Sequence, residues 1–441
     1  MTRRTMTLLA TGLLLALAGC GGGGGSTSSG GAAASAPSNP AEVSGEITVL
    51  TNRTDLDKDG TLKRYAAEFN KTYPKVTVKF QAITDYAGEV KVRMNTENYG
   101  DVLLIPPSIV LSDFPKFFSP LGTSADLATK YSWTDTTTVD GEVYGLATFG
   151  NANGFVYNKK VWKQAGITRA PTTPAEFQAA LQAIKSKTGA IPYYTNYHDG
   201  WPVQGWFSAL GSPTCDPTAA DKLATDPAPW SQGKDLYTIS TVLFDAVHGK
   251  LTEPDPTTTN WENSKTLLGT GKAATMWLGS WAITQMQEAA TKAKAEPSDI
   301  GFMPFPVQKD GKFCSVTSPD YNQAINVHSS QQQAARAWID WFTDKSGFAR
   351  DQGSIPAQKG AKLPSSFADY TDLGVSYIEL TQQKAAAIKK VDSAAELGIA
   401  SAPDPMQKLI DVARGAAGGD LASLFAEWNK KWAEGIANAG G

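Results

Sequence analysis

The sequence is poor in the residues that carry most metal and nucleophilic chemistry. Its three histidines, His198, His248 and His328, are scattered through 441 residues, with no HExxH and no pair at metal spacing, which argues against zinc. No serine stands in a GxSxG elbow. Gly271-Lys272 is followed by Ala273, and Thr266 occupies the place of the first glycine of a phosphate-binding loop, so a nucleotide cradle fails as well. A glycosidase needs two positioned carboxylates, and no local pattern singles out a pair among the 43 acidic residues. Charge is also sparse and balanced: 19% charged residues and a net charge of -3 offer no field for nucleic acid. Neither a cofactor nor a resident metal is expected. What the chain does have is aromatic surface, with 12 Trp, 14 Tyr and 17 Phe, more indole than a core of this size needs.

The longest early apolar run covers residues 8–17, about ten residues, too short to cross a bilayer core of roughly 30 Å as a helix. It follows Arg3 and Arg4 and leads into Leu17-Ala18-Gly19-Cys20, which resembles the lipobox of bacterial lipoproteins. That resemblance implies a signal peptide over residues 1–19 and a diacylglycerol on the Cys20 thiol, anchoring the chain to the outer face of the cell membrane. Thr2-Arg3-Arg4 also resembles a twin-arginine signal, so two export routes stay open. Residues 20–45 are, after Cys20, mostly Gly, Ser, Ala, Thr and Pro with almost no large apolar side chain, a composition that forms a flexible tether. An oxidising exterior permits Cys215 and Cys314 to pair, and two separate thiols are the alternative.

The length suits two lobes. Residues 46–50 and 76–80 predict strands, 62–69 and 86–96 helices, and 101–105 an apolar strand, a βαβαβ pattern. Ligands of such sheets lie beyond the carboxyl ends of the strands, which directs attention to residues 51–55 and 106–108. Thr173-Pro174-Ala175-Glu176 predicts a capping box that opens a helix running toward Lys187. Further helices are predicted near 234–247, 260–268, 334–342 and 421–432, and strands at 154–157, 274–278, 300–303 and 324–327.

Asp55-Leu-Asp57-Lys-Asp59-Gly60 resembles a calcium loop, but Ala66 stands where the closing bidentate glutamate belongs, and a solvated acidic turn before a helix at Thr61 is preferred.

Val143-Tyr144-Gly145-Leu146, Gly154-Phe155-Val156-Tyr157-Asn158 with Trp162, and Gly271 to Met276 with Gly279-Ser280-Trp281 resemble, in order, stretches of carbohydrate-binding ABC receptors. So do residues 299–304, Ala324-Ile325-Asn326 with Trp338, and residues 353–357. The chain is identified by these motifs as similar to the extracellular solute-binding family that includes maltose-binding protein. The resemblance implies an α/β, two-lobed periplasmic-binding-protein-like fold of type II, with discontinuous lobes and crossing segments near 149–153, 280 and 322–326. It places residues 46–149 and 281–325 in one lobe and 150–280 and 326–441 in the other.

The same resemblance puts Trp281 in the place of a stacking aromatic and Asn151 in that of a polar contact, here a neutral amide where the family often has a charge. Asn153 lies in the same crossing. Residues 197–202, with Tyr197, His198 and Trp201, resemble the family's aromatic loop, and Asp320-Tyr321 precede the last crossing. Sugar chemistry fits these residue types: Trp281, Trp201 and Tyr321 offer faces for C–H surfaces, while Arg53, Asp55, Asn151, His198 and Asp320 offer edges for hydroxyls. The expected function is capture of a carbohydrate by a monomeric, extracytoplasmic receptor that delivers it to ABC permease subunits and performs no chemistry. A secreted enzyme acting on polysaccharide and a sugar-sensing module are the alternatives.

Overall fold

The β-rich run at residues 46–50 buries Ile47, Val49 and Leu50, and it pairs in parallel with two later strands. The computed structural model describes residues 39–84, 86–106, 108–399 and 402–440; the expected signal peptide, Cys20 and most of the tether lie outside them. Strand β1 (Ser44–Thr51) leads through a one-turn helix, Thr54–Lys58, into α1 (Thr61–Thr72), β2 (Lys75–Ala82), α2 (Tyr86–Arg93) and β3 (Val102–Leu104). Val49 sits between Phe80 of β2 and Val102 of β3, the parallel order the βαβαβ pattern requires. Leu62, Tyr65 and Phe69 recur at helical spacing and form the buried face of α1.

Two long strands dominate the rest of the chain. The short runs expected at 154–157 and 324–327 are parts of β4 (Leu146–Asn158) and of a later strand, Lys312–Asn326. Between them lie α3 (Pro174–Lys187), α4 (Asp235–His248), α5 (Trp261–Gly269), β5 (Thr275–Gly279), α6 (Ala282–Lys292) and β6 (Ile300–Met303). After the long strand, β7 (Lys312–Asn326), come α7 (Gln332–Asp344), β8 (Ile355–Pro356), α8 (Asp404–Ala413) and α9 (Leu421–Ala439). Strands β4 and β7 run antiparallel from Leu146 opposite Gln323 to Ala152 opposite Thr317. The far half of β4 pairs instead with β5 and β6, Phe155 facing both Trp277 and Met303. Each long strand therefore belongs to two packed bodies.

The packing groups the chain differently from the expected division. Helix α7, expected with the second lobe, packs on β1 and α1: the Trp338 ring meets Phe69 edge-on at 5.2 Å, and both lie in one buried cluster with Ile47 and Val49. Residues 281–303, expected with the first lobe, stay with the second, where Ile283, Met286 and Phe302 pack on Leu268 and Met276. The reason is local. Ser280 does not begin a crossing, because its N–H donates to Ala152 O at 2.8 Å and pins the start of α6 beside β4. The return passage lies at β8, where Ile355 pairs with Gly150. Helices α8 and α9 then pack Leu409, Trp428 and Trp432 into the second body.

Gly150 sits where β4, β7 and β8 meet. A Cβ there would press into the Trp133 ring and fall 2.7 Å from Ser318 O, so only glycine lets the three segments approach. Cys215 and Cys314 form a disulfide, with Cα atoms 5.4 Å apart, that ties the loop before α4 to the start of β7. At α3 the cap differs from the expected box: Thr173 Oγ1 accepts the Glu176 N–H at 3.1 Å, while the Glu176 carboxylate accepts from Thr172 N and Oγ1 at 2.7 and 2.8 Å, one residue before the cap. Among the described residues no helix is long and apolar enough to cross a membrane.

Candidate ligand cleft

A cleft of about 1060 Å³ opens between the carboxyl end of β1 and helices α5 and α6. One wall carries Arg53, Asp55, Asp59, Phe149, Asp351 and Gln352, the other Glu262, Lys265, Trp281, Gln285, Glu288 and Lys292, with Asp320 and Ser354 also on its surface. Elements explain the placement. Arg53 and Asp55 follow the end of β1, as ligand-facing groups of parallel sheets do, and Trp281 comes directly after the Gly279-Ser280 end of β5.

Trp281 is half-buried and faces the opening. A Cβ on Gly279 would fall 2.6 Å from its Cδ1, so the bare glycine backbone lets one indole face lie against the strand end. Its ring centroid is 5.8 Å from Trp201 and 5.7 Å from Trp261, and Trp201 and Trp261 meet edge-on at 4.9 Å. Trp201 is 42% exposed, unusual for so large an apolar ring. Three indoles thus form one cluster, of which Trp281 lines the cleft.

The opposite wall is polar. Arg53 donates to both carboxylate oxygens of Asp55, at 2.9 and 2.6 Å, and also to Gln352 Oε1. This fork holds the Asp55 carboxyl below its ordinary value. Asp59 Oδ1 accepts the Thr61 N–H at 2.8 Å, so the acidic turn serves a guanidinium and a helix start. Among the described residues no cluster of His, Cys, Asp and Glu is arranged to hold a metal ion. Asp320 is exposed to the cleft, yet the surrounding walls keep out enough water to raise its carboxyl above the ordinary value. Its Oδ2 accepts from Asn151 Nδ2 at 3.1 Å and its Oδ1 from the Tyr321 N–H at 2.7 Å.

Of the ten residues expected at the site, Arg53, Asp55, Trp281 and Asp320 line this cleft, and Trp201 stands outside its lining, in contact with Trp281. The other five do not line it. Asn151 is buried behind Asp320. Asn153 Nδ2 donates to the Ser208 and Val316 carbonyls. The Tyr197 hydroxyl donates to Asp411 Oδ2 at 2.9 Å, which turns the ring toward α8. His198 is exposed in the adjoining turn, held by its N–H to Thr259 Oγ1. Tyr321 packs inward on Phe149 and Phe348, its hydroxyl 2.7 Å from Thr51 Oγ1, and burial pushes that phenol up to about 12.

Sequence reasoning missed Trp261 and the polar face of α6. Thr284, Gln285, Glu288 and Lys292 recur at three- and four-residue spacing, a polar stripe beside the buried stripe of Ile283, Met286 and Ala290, and that periodicity was the available signal.

Residues 54–347 match the model of a family described as bacterial extracellular solute-binding protein. The Multiple sugar-binding protein of Streptococcus mutans is 24% identical over 332 residues, 72% of this chain and 76% of the relative. Two solved structures from Bifidobacterium animalis subsp. lactis are more similar. BlMnBP1, a binding protein of an ABC transporter in complex with mannobiose, has a TM-score of 0.77 and 34% identity over 91% of this chain and 96% of its own. BlMnBP2, a manno-oligosaccharide-specific solute-binding protein in complex with mannotriose, has a TM-score of 0.77 and 32% identity over the same shares.

Proposed function

The chain belongs to the bacterial extracellular solute-binding protein family, and on that premise we propose that it captures a short oligosaccharide in the cleft between its two bodies and hands it to the permease of an ABC importer. The observation that carries this reading is the pairing of the Trp281 indole, which lines the cleft and is flanked by Trp201 and Trp261, with a facing wall of carboxylate, guanidinium and amide groups. A sugar ring offers a C–H face to the former and rim hydroxyls to the latter. The two lobes in this reading are residues 44–149 with 321–352, and 152–318 with 357–440, joined by β4, β7 and the passage at β8. Ligand that touches both walls gains contacts on closure and shifts the population toward the closed form.

The receptor works outside the cytoplasm as a monomer, anchored through a lipid on Cys20, and no bond-making step is assigned to it. The stacking contact falls to Trp281, and the polar contacts to Arg53, Asp320 and Gln352. A thermal-shift screen with mannobiose, mannotriose, raffinose and N,N'-diacetylchitobiose tests the reading. Ligand at about a hundredfold its dissociation constant adds roughly 2.7 kcal/mol of stability, whereas no shift with any saccharide rejects carbohydrate capture. Release of smaller sugars during incubation would reject the purely binding role. Replacing Cys20 with Ala should move the protein from the membrane to the soluble fraction.

A further inference from the structure

The residue expected to contact ligand at the first passage, Asn151, is only 7% exposed and turned away from the cleft. Its side chain nonetheless makes three hydrogen bonds. Nδ2 donates to Asp320 Oδ2 at 3.1 Å, and Oδ1 accepts from Ser280 Oγ at 3.2 Å and Ser354 Oγ at 3.4 Å. The amide's orientation follows from chemistry, since a carboxylate can only accept and the nitrogen must point at Asp320. Ser280 Oγ accepts the Ala152 N–H at 3.2 Å, which leaves its single proton for Asn151. One side chain therefore ties three places together: Asp320 on β7, the residue before Trp281, and the return passage at β8.

We infer that Asn151 is a positioning residue for ligand capture: it does not touch the carbohydrate and acts by aiming the Asp320 carboxylate at the sugar stacked on Trp281. This role rests on the carbohydrate reading of the cleft. Asp320 spends one hydrogen bond of each oxygen on Asn151 Nδ2 and the Tyr321 N–H, so the carboxylate is held from behind while its remaining lone pairs face the cleft. A preoriented acceptor loses little freedom on binding, which is where such a group gains affinity. A neutral amide suits the task, because a second carboxylate at 3.1 Å would repel the first.

The test is a double-mutant cycle read by calorimetry, with whichever of mannobiose, mannotriose, raffinose and N,N'-diacetylchitobiose stabilises the wild type most. Asp320→Ala should weaken binding about 10- to 100-fold, the range of a hydrogen bond to a charged group. Asn151→Ala should weaken it about tenfold in the wild type and less than twofold when Asp320 is already Ala, because residues acting through one contact are not additive. A merely structural role would leave the Asn151→Ala loss unchanged in both backgrounds and overturns the inference, as does wild-type affinity in Asn151→Ala. Thermal melts check folding, and Asn151→Ser repeats the cycle with a smaller perturbation. A wild type that binds none of the four saccharides overturns the carbohydrate reading and this inference with it, whereas wild-type binding with additive losses overturns the inference alone.

Discussion

Replacing Trp281 with Ala removes the one indole that both lines the cleft and contacts the other two tryptophans. Stacking of a sugar on the free face covers on the order of 80 Å² of ring and C–H surface, which at ~25 cal/mol/Å² contributes about 2 kcal/mol. That corresponds to roughly a 30-fold rise in Kd. A second loss adds to it: without the ring 5.8 Å away, the exposed Trp201 loses a packing partner and must be ordered by the ligand itself. Calorimetry of Trp281→Ala against wild type should therefore show a loss of 30-fold or more, with Trp281→Phe in between. Affinity of Trp281→Ala within threefold of wild type, in a protein that melts normally, would refute the stacking argument.

Exchanging both Cys215 and Cys314 for Ser opens a loop of 99 residues and should lower unfolding free energy by about 2–5 kcal/mol, measured by denaturant titration under oxidising conditions. Gly150→Ala should destabilise by about 1–3 kcal/mol, since the new methyl collides with Trp133 and Ser318 O; an unchanged denaturation midpoint would count against close approach there. The Thr172 and Arg169 donors lower the Glu176 carboxyl from its ordinary 4.5 to about 2, so its contribution is present above pH 4.5 and is lost as pH falls toward 2. Glu176→Gln should therefore be less stable than wild type at pH 6 and nearly equal to it at pH 2, and a gap that persists at pH 2 would contradict this assignment.

Much of the first body was legible because its signals are local. Leu62, Tyr65 and Phe69 announce a helix by spacing alone, and β1, β2 and β3 stand within two residues of where the apolar runs put them. The strands of the passage were harder. Polar positions such as Asn151, Asn153, Ser318 and Asp320 interrupt the apolar pattern of β4 and β7, so each reads as a fragment, although backbone pairing across 317–323 makes it continuous. For the candidate cleft, motif order pointed to Trp281 and strand ends pointed to Arg53 and Asp55, and all three line it. Neither signal could separate Asp320, which lines the cleft, from Tyr321 beside it, because the positive φ of Tyr321, 56°, breaks the regular alternation of the strand and only the packing says which side chain faces the opening.

Taken alone, the amino-acid order determined the helices and strands, their α/β alternation and the family, since these depend on propensity, periodicity and motifs between near neighbours. Tertiary structure alone decided which body owns α6 and α7, that Cys215 reaches Cys314, that Trp261 joins Trp201 and Trp281, and that Asn151 stands behind Asp320. Each of those contacts joins residues far apart in the chain, and no local energy term encodes which of many distant partners a side chain will meet. The pairing of β4 with β7 makes that choice, by bringing the two passages side by side and leaving their polar residues between the lobes.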